Sequence, residues 1–156
     1  MKAKVYVETT IVSYLAASPS RDLVIAAHQQ ITREWWERRD RFELFVSQAV
    51  IEEAARGNVA AAARRAELLR AIPVLELGAE VYEFADRLLR ARVVPAKASI
   101  DALHIAVAVV NRVDYLVTWN CVHIANAAIR VKIEQVCRQA GLAAPVICTP
   151  EELMEA

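Results

Sequence analysis

The sequence predicts a three-layer α/β/α sandwich built on a parallel sheet of four or five strands. Two observations predict this class: short apolar runs alternate with helix-length segments along the chain, and no linker interrupts the alternation. Strands that alternate with helices pair in parallel through right-handed crossovers, and the helices then cover both faces of the sheet. A chain of 156 residues is long enough for one substantial core. We therefore expect a single domain over residues 1–156.

Five short runs have the composition of buried strands, because β-branched, aromatic or leucine side chains dominate each of them. These runs are residues 4–7, 42–46, 74–77, 115–118 and 145–148. Segments with helical patterns fill the intervals between them. We predict these helices over residues 9–16, 22–40, 48–56, 60–71, 79–92, 99–110 and 124–140.

Capping residues support several of these bounds. Ser47 can cap the helix over residues 48–56, and Gly57 is a stop signal at its end. Near the end of the sequence, Thr149 and Glu152 have the spacing of a capping box, and Pro150 stands at the first helical position. We therefore predict a last helix after the fifth strand.

The composition argues against several classes of function. Acidic and basic residues balance at 19 each, so no bulk attraction to nucleic acid is expected. With three glycines and no phosphate loop, a nucleotide bound in the Rossmann or Walker manner is disfavoured. Cys121, Cys137 and Cys148 are odd in number and lack metal-ligand spacing, which fits free thiols. No run has membrane-spanning length and no signal peptide is recognisable, so we expect a cytoplasmic protein without membrane contact.

The most informative residue is Asp101, an acid just inside the start of the helix over residues 99–110. That helix is apolar on nearly every face, so we expect it in the core. The helix dipole stabilises a carboxylate at this end, but an unpartnered buried carboxylate is costly. Asp101 therefore needs water, a cation or a metal beside it. Its alternative partners are backbone amides or an arginine.

Three further polar residues occupy comparable positions. Glu8 falls at the carboxyl end of the first strand, and Glu53 lies in the helix after the second. Asn120 follows the fourth strand. Ligands of open parallel sheets bind outside the carboxyl ends of the strands, so these side chains can converge with Asp101 in one cleft. Three clustered carboxylates repel one another unless a cation neutralises them, and oxygen ligands suit Mg²⁺ or Mn²⁺. Asn120 would complete the site by orienting a water or a phosphate.

Two neighbours of these acids admit competing interpretations. Glu52 could replace Glu53, but adjacent helical residues point about 100° apart, so we expect only Glu53 to face the cleft. His104 lies three residues after Asp101 and is expected to be a satisfied core histidine rather than a catalytic base. The other two histidines have no partner spacing and are expected to be structural or surface residues.

Four more side chains have alternative roles that the sequence leaves open. Thr10 and Thr118 can hydrogen-bond a metal-bound water, or serve only as helix cap and strand end. Trp35 and Trp36 can stack on nucleobases, although tryptophan more often belongs to a core or a dimer interface.

Three segments carry a resemblance to a known family. They read VYVETTIVSYL, VSQAVIEEAARGN and SIDALHIAVAVVNRVDYLVTWNCVHIAN. In these segments the chain resembles the PIN-domain ribonucleases, in particular the VapC-like toxins of bacterial and archaeal toxin–antitoxin pairs. The resemblance maps the family's first acid to Glu8, its second to Glu53 four residues before Gly57, and its third to Asp101. The fourth position, which is often acidic, is Asn120 here.

The resemblance implies an endonuclease that acts on RNA, depends on Mg²⁺ or Mn²⁺, is dimeric and is held inactive by a small antitoxin. It implies metal coordination by Glu8, Glu53 and Asp101. Two departures matter: the first position is more often aspartate in the family, and Asn120 brings no charge. Both favour a one-metal site, or a second ion that is recruited only with substrate.

Two other classes of function compete with a ribonuclease. A PIN-fold module that has lost catalysis could serve as a scaffold that binds RNA or a protein, and Asn120 favours this hypothesis. The retained acids disfavour it, because a lapsed site has little reason to bury unpaired carboxylates. A metal-dependent phosphatase would require a nucleophile in an Asp-x-Asp pair, which the sequence lacks.

Overall fold

All five predicted strands pair in one parallel sheet of the structure, a computed structural model that describes residues 1–155. The strands are β1 Ala3–Val7, β2 Phe42–Ser47, β3 Val74–Leu75, β4 Tyr115–Val117 and β5 Val146–Cys148. Their order is β3-β2-β1-β4-β5, so the chain begins at the centre of the sheet and builds outward on each side in turn. The strand order reverses between β1 and β4, and a crevice opens at such a switch point. The predicted fold class is confirmed.

Within residues 1–155, seven α-helices connect and cover the strands. They are α1 Thr9–Ala16, α2 Leu23–Glu37, α3 Gln48–Ala54, α4 Val59–Leu69, α5 Ala79–Arg90, α6 Ser99–Val110 and α7 Ala127–Gln139. Two short 3₁₀ turns, Arg39–Arg41 and Ala96–Ala98, precede β2 and α6. None of the helices within residues 1–155 is both long and apolar enough to cross a bilayer.

Side-chain capping explains where two helices differ from the predicted bounds. Asp22 accepts hydrogen bonds from the amides of Val24 and Ile25, so α2 begins one residue after it. Asn126 accepts hydrogen bonds from the amides of Ala128 and Ile129, and α7 therefore begins at residue 127 rather than 124. Capping of this kind stabilises a helix end by about 1 kcal/mol.

Two predicted caps behave differently in the structure. Ser47 precedes α3, but its side chain makes no capping hydrogen bond there. The capping box of Thr149 and Glu152 does form, because the Thr149 amide donates to Glu152 Oε1 over 3.0 Å and the Glu152 amide donates to Thr149 Oγ1 over 3.4 Å. The predicted last helix is nevertheless wrong, since residues 150–155 form turns. One box cannot offset the entropy of nucleating an isolated short helix.

The core lies on both faces of the sheet, and α6 is its most buried helix. Seven of its residues, Ala102 and 104–109, are buried, as the apolar sequence predicts. Trp35 is fully buried and stacks on Phe42, with ring centroids 6.0 Å apart. Trp36 is half-buried, and the Arg39 guanidinium lies over its ring. Trp35 therefore belongs to the core, which leaves it no free face for a nucleobase.

Candidate metal centre

Glu8 is a buried carboxylate at the carboxyl end of β1, where it also caps α1. Its side chain is only 3% exposed, yet the hydrogen bonds it accepts come from neutral donors. Oε1 accepts from the Thr10 hydroxyl over 2.6 Å and from the Thr118 hydroxyl over 2.5 Å, and Oε2 accepts from the Thr10 amide over 3.2 Å. These donors solvate the charge without neutralising it.

Glu53 reaches the same place from α3. Its Oε1 accepts from the Thr9 hydroxyl over 2.6 Å and from His104 Nε2 over 2.5 Å. Within residues 1–155, no donor bonds to its Oε2. Glu52, the next residue on the helix, is exposed. The structure thus turns Glu53 toward Glu8 and Glu52 toward solvent, as the helical offset predicts.

His104 is fully buried and is bonded at both ring nitrogens. Nε2 faces Glu53, while Nδ1 is 2.7 Å from the Tyr6 hydroxyl, which in turn is 2.7 Å from Ser47 Oγ. Because an ionised carboxylate can only accept, His104 Nε2 carries a hydrogen and donates it. The predicted core histidine therefore orients Glu53, and Ser47 supports it through Tyr6.

The pKa values of these hydrogen-bonded side chains reflect burial opposed by hydrogen bonds and nearby charges. Burial by itself lowers the pKa of His104, but the bond to Glu53 and the charges of Glu8 and Asp101 raise it above the ordinary value. For Glu53 burial is the largest effect and raises the pKa, but the bond and charge of His104, the bond from Thr9 and the charge of Arg56 together outweigh it, and the net pKa is lowered. Burial also raises the pKa of Tyr6. Both members of the Glu53–His104 pair are therefore favoured in their charged forms when no cation is near.

Within the described residues, one group of three acidic or histidine side chains brings its ligand atoms within 4.8 Å of one another: Glu8, Glu53 and His104. Both nitrogens of His104 are already engaged, so the two carboxylates are the atoms that remain for an ion. Two carboxylates with room for water are the donor set that Mg²⁺ and Mn²⁺ prefer. The residues therefore fit a divalent metal.

Asp101 lies outside that group and is part of a second cluster. Its Oδ1 accepts from Asn120 Nδ2 over 3.1 Å, and its Oδ2 is 2.9 Å from His123 Nδ1. Asn120 Oδ1 also accepts the His123 amide over 3.0 Å. These three residues form a ring of hydrogen bonds that joins the start of α6 to the segment after β4. The His123 contact was missed at the sequence level, because a separation of 22 residues has no periodic signature.

The two clusters are joined through Thr118. Its hydroxyl donates to Glu8 Oε1 and accepts the Asn120 amide over 2.9 Å. Thr10 has a similar double role, since its hydroxyl donates to Glu8 and accepts the Trp119 amide over 2.8 Å. Thr10 and Thr118 thus hold the Glu8 carboxylate and, through the backbone amides of residues 119 and 120, the segment after β4.

An aromatic stack holds Trp119, in the segment after β4, against side chains of α1 and α2. His28 lies on Trp119 with ring centroids 4.0 Å apart and planes 12° apart, and Tyr14 is stacked beside both rings. The Trp119 indole N–H donates to Thr32 Oγ1 over 2.7 Å. These contacts attach α2 to the loop that carries Asn120.

Next to Glu53, a groove of about 480 Å³ runs along α3 and past the end of β3. Glu52 and Glu53 line it from α3, Arg56 from the turn after α3, and Glu76 and Tyr82 from the segments after β3. An extended ligand in this groove can therefore reach Glu53.

The sequence model of the PIN domain family matches residues 5–120, which include most of both clusters. The chain belongs to the PIN domain family, as its resemblance implies; PIN domains are generally nucleases. Among solved structures, it is similar to a chain of VapBC2 from Rickettsia felis, crystallised with a DNA fragment from the VapBC2 promoter. The two are 12% identical, and the match covers 94% of this chain and 98% of the other with a TM-score of 0.58. No curated protein matches the sequence.

Proposed function

We propose that this chain is a Mg²⁺- or Mn²⁺-dependent endoribonuclease, the toxin of a toxin–antitoxin pair. The observation that carries the proposal is the convergence of Glu8 and Glu53 at the carboxyl edge of the central strands in a PIN domain. Within residues 1–155, no lysine or arginine forms an ion pair with either carboxylate. Within the same residues His104 pairs with Glu53, so the Glu8 carboxylate is the one left without a cationic partner, which a bound ion would supply.

Each residue has a distinct task in this proposal. Glu8 and Glu53 would hold the ion, and Asp101 would be its third ligand. When bound, the ion polarises the scissile phosphate and lowers the pKa of a coordinated water. His104 keeps Glu53 in position, and Asn120 keeps Asp101 in position through its amide. Asn120 thus acts here by orienting a carboxylate rather than by adding a fourth charge.

The proposed partners are an RNA substrate, a small antitoxin protein and a second copy of the chain. The similar Rickettsia felis chain belongs to a VapBC2 complex on DNA, which supports an antitoxin. Leu23 and Val24, at the start of α2, expose 86% and 64% of their surface, and Val59, at the start of α4, exposes 84%. Apolar residues this exposed are consistent with a surface that another protein covers.

Cleavage of RNA tests the proposal directly. Purified protein should cut single-stranded or looped RNA with Mg²⁺ or Mn²⁺, stop when chelator is added, and leave 5′-phosphate and 3′-hydroxyl ends because water is the nucleophile. Asp101→Ala should lower the rate by orders of magnitude, since a lost ligand costs several kcal/mol of transition-state stabilisation. Glu52→Ala is the matched control and should leave the rate nearly unchanged. Cyclic phosphate ends, or cleavage that persists in chelator, would refute this mechanism.

One observation favours the scaffold alternative: both oxygens of Asp101 already have partners in Asn120 and His123. A scaffold would bind RNA or its protein partner without cleaving RNA, and neither Asp101→Ala nor Glu52→Ala would change that binding. Asn120→Asp separates the two functions further. It would place a second carboxylate against Asp101, so a nuclease should bind metal more tightly, whereas a scaffold should only lose stability.

A further inference from the structure

His123 has a more defined environment than a surface histidine requires. Its backbone amide bonds to Asn120 Oδ1 and its ring Nδ1 bonds to Asp101 Oδ2, so two contacts fix both the chain and the ring. About a quarter of the side chain remains exposed. No hydrogen bond within residues 1–155 uses its other nitrogen, Nε2.

The orientation of the ring follows from the chemistry of Asp101. An ionised carboxylate only accepts, so Nδ1 carries a hydrogen and donates it to Oδ2. Nε2 is then on the side of the ring away from Asp101. In the neutral ring it is an acceptor, and in the charged ring it is a donor.

His123 is also connected to the proposed metal ligands. Asn120 links it to Glu8, since the Asn120 amide donates to the Thr118 hydroxyl that donates to Glu8 Oε1. In this series of hydrogen bonds, only Asn120 and Thr118 lie between His123 and the buried Glu8 carboxylate at the end of β1. His123 therefore shares one hydrogen-bonded network with Glu8, and part of its side chain is open to solvent.

The chemistry of that neighbourhood selects the group. Asp101 beside the ring disfavours a phosphate, which is negatively charged. A ribose 2′-hydroxyl suits Nε2 in either protonation state, because it can both donate and accept, and it is the group that distinguishes RNA from DNA. We infer that His123 is a specificity residue that contacts a ribose 2′-hydroxyl next to the scissile phosphate through Nε2. This inference depends on the proposed ribonuclease function.

A cycle of protein variants and substrates tests the inference. Three oligonucleotide substrates are compared. One is all ribose, and each of the other two carries a single deoxyribose, on the 5′ side or on the 3′ side of the cleaved linkage. His123→Asn keeps an N–H at the place of Nδ1 but has no group at Nε2, whereas His123→Gln carries a polar group at Nε2. For the wild type, we expect the more damaging of the two deoxyribose substitutions to lower kcat/KM about fivefold, since one hydrogen bond contributes about 1 kcal/mol. His123→Asn should cut the all-ribose substrate and that deoxyribose substrate with kcat/KM values within about twofold of each other. His123→Gln should retain part of the preference for ribose.

Each outcome decides between the proposals. If His123→Asn discriminates ribose from deoxyribose as strongly as the wild type, the inference is wrong although the chain is still a ribonuclease. If His123→Gln loses discrimination and His123→Asn retains it, His123 acts only through Asp101, and the inference is again overturned. If the wild type cuts no RNA in Mg²⁺ or Mn²⁺, the proposed function fails and this inference fails with it. A melting curve of each variant establishes that it is folded.

Discussion

Replacing Glu53 with glutamine separates metal binding from folding in one experiment. The glutamine side chain of Glu53→Gln would still accept hydrogen bonds from Thr9 and His104, but it would carry no charge. Charged hydrogen bonds contribute about 1.5–3 kcal/mol and neutral ones about 0.5–1.5 kcal/mol, so the apo protein should lose about 1 kcal/mol for each of these two bonds. Relief of repulsion with Glu8 offsets part of that loss. The apo melting temperature should therefore fall by only a few degrees, at about 2–4 °C per kcal/mol for a chain of this size.

The response to metal should change far more. For wild type at a Mn²⁺ concentration about 100 times Kd, binding to the folded state adds about 2.7 kcal/mol, or roughly 5–10 °C in Tm. A hundredfold weaker Kd for Glu53→Gln reduces this gain to about 0.4 kcal/mol, which is about 1 °C. Differential scanning fluorimetry with Mn²⁺ and with chelator measures both quantities.

Two companion variants make the result decisive. Glu52→Gln, on the exposed neighbour, should keep the full response to Mn²⁺, because exposed substitutions change stability by less than about 0.5 kcal/mol. Asp101→Asn should lose most of it if Asp101 is the third ligand. An equal rise in Tm for Glu53→Gln and wild type, or no rise for wild type, would refute a metal site at Glu8 and Glu53.

The remaining predictions concern pH and thiol chemistry. Without metal, the Glu53–His104 pair should stabilise the fold most between the ordinary pKa values of glutamate and histidine. Because the Glu53 pKa is lowered in the folded state, stability should be lost as pH falls below the ordinary glutamate pKa. Because the His104 pKa is raised, stability should also be lost as pH rises above the ordinary histidine pKa. A plot of Tm against pH from about 4 to 9, measured in chelator, should show a maximum between these two losses for wild type. An identical pH profile for Glu53→Gln would contradict this prediction. At about pH 8, the exposed Cys121 should react alone with a thiol reagent, because burial raises the pKa of Cys137 to about 11 and of Cys148 to about 12. More than one thiol reacting rapidly in the native protein would count against the described core.

Local sequence signals determined the elements apart from the predicted last helix, and they gave most bounds to within two residues. β1, α1 and α6 follow from composition and periodicity, since a run of apolar residues has one period in a strand and another in a helix. The same periodicity placed Glu8 at a strand end and turned Glu53 and Glu52 to different sides of α3. Bounds were less well predicted where a side-chain cap decides them, as Asn126 does for α7. The functional roles of these acids stay predictions until the metal is tested.

Only the tertiary structure decided which groups meet at the site. Glu8 receives its hydrogen bond from Thr118, 110 residues later, and Tyr6 reaches His104 across 98 residues. Asp101 meets His123 only because α6 and the segment after β4 approach the same edge of the sheet. Periodicity reports which face of an element is buried, but not which strand lies beside which. The strand order decides that, and it is set by the packing of the whole core rather than by any local segment.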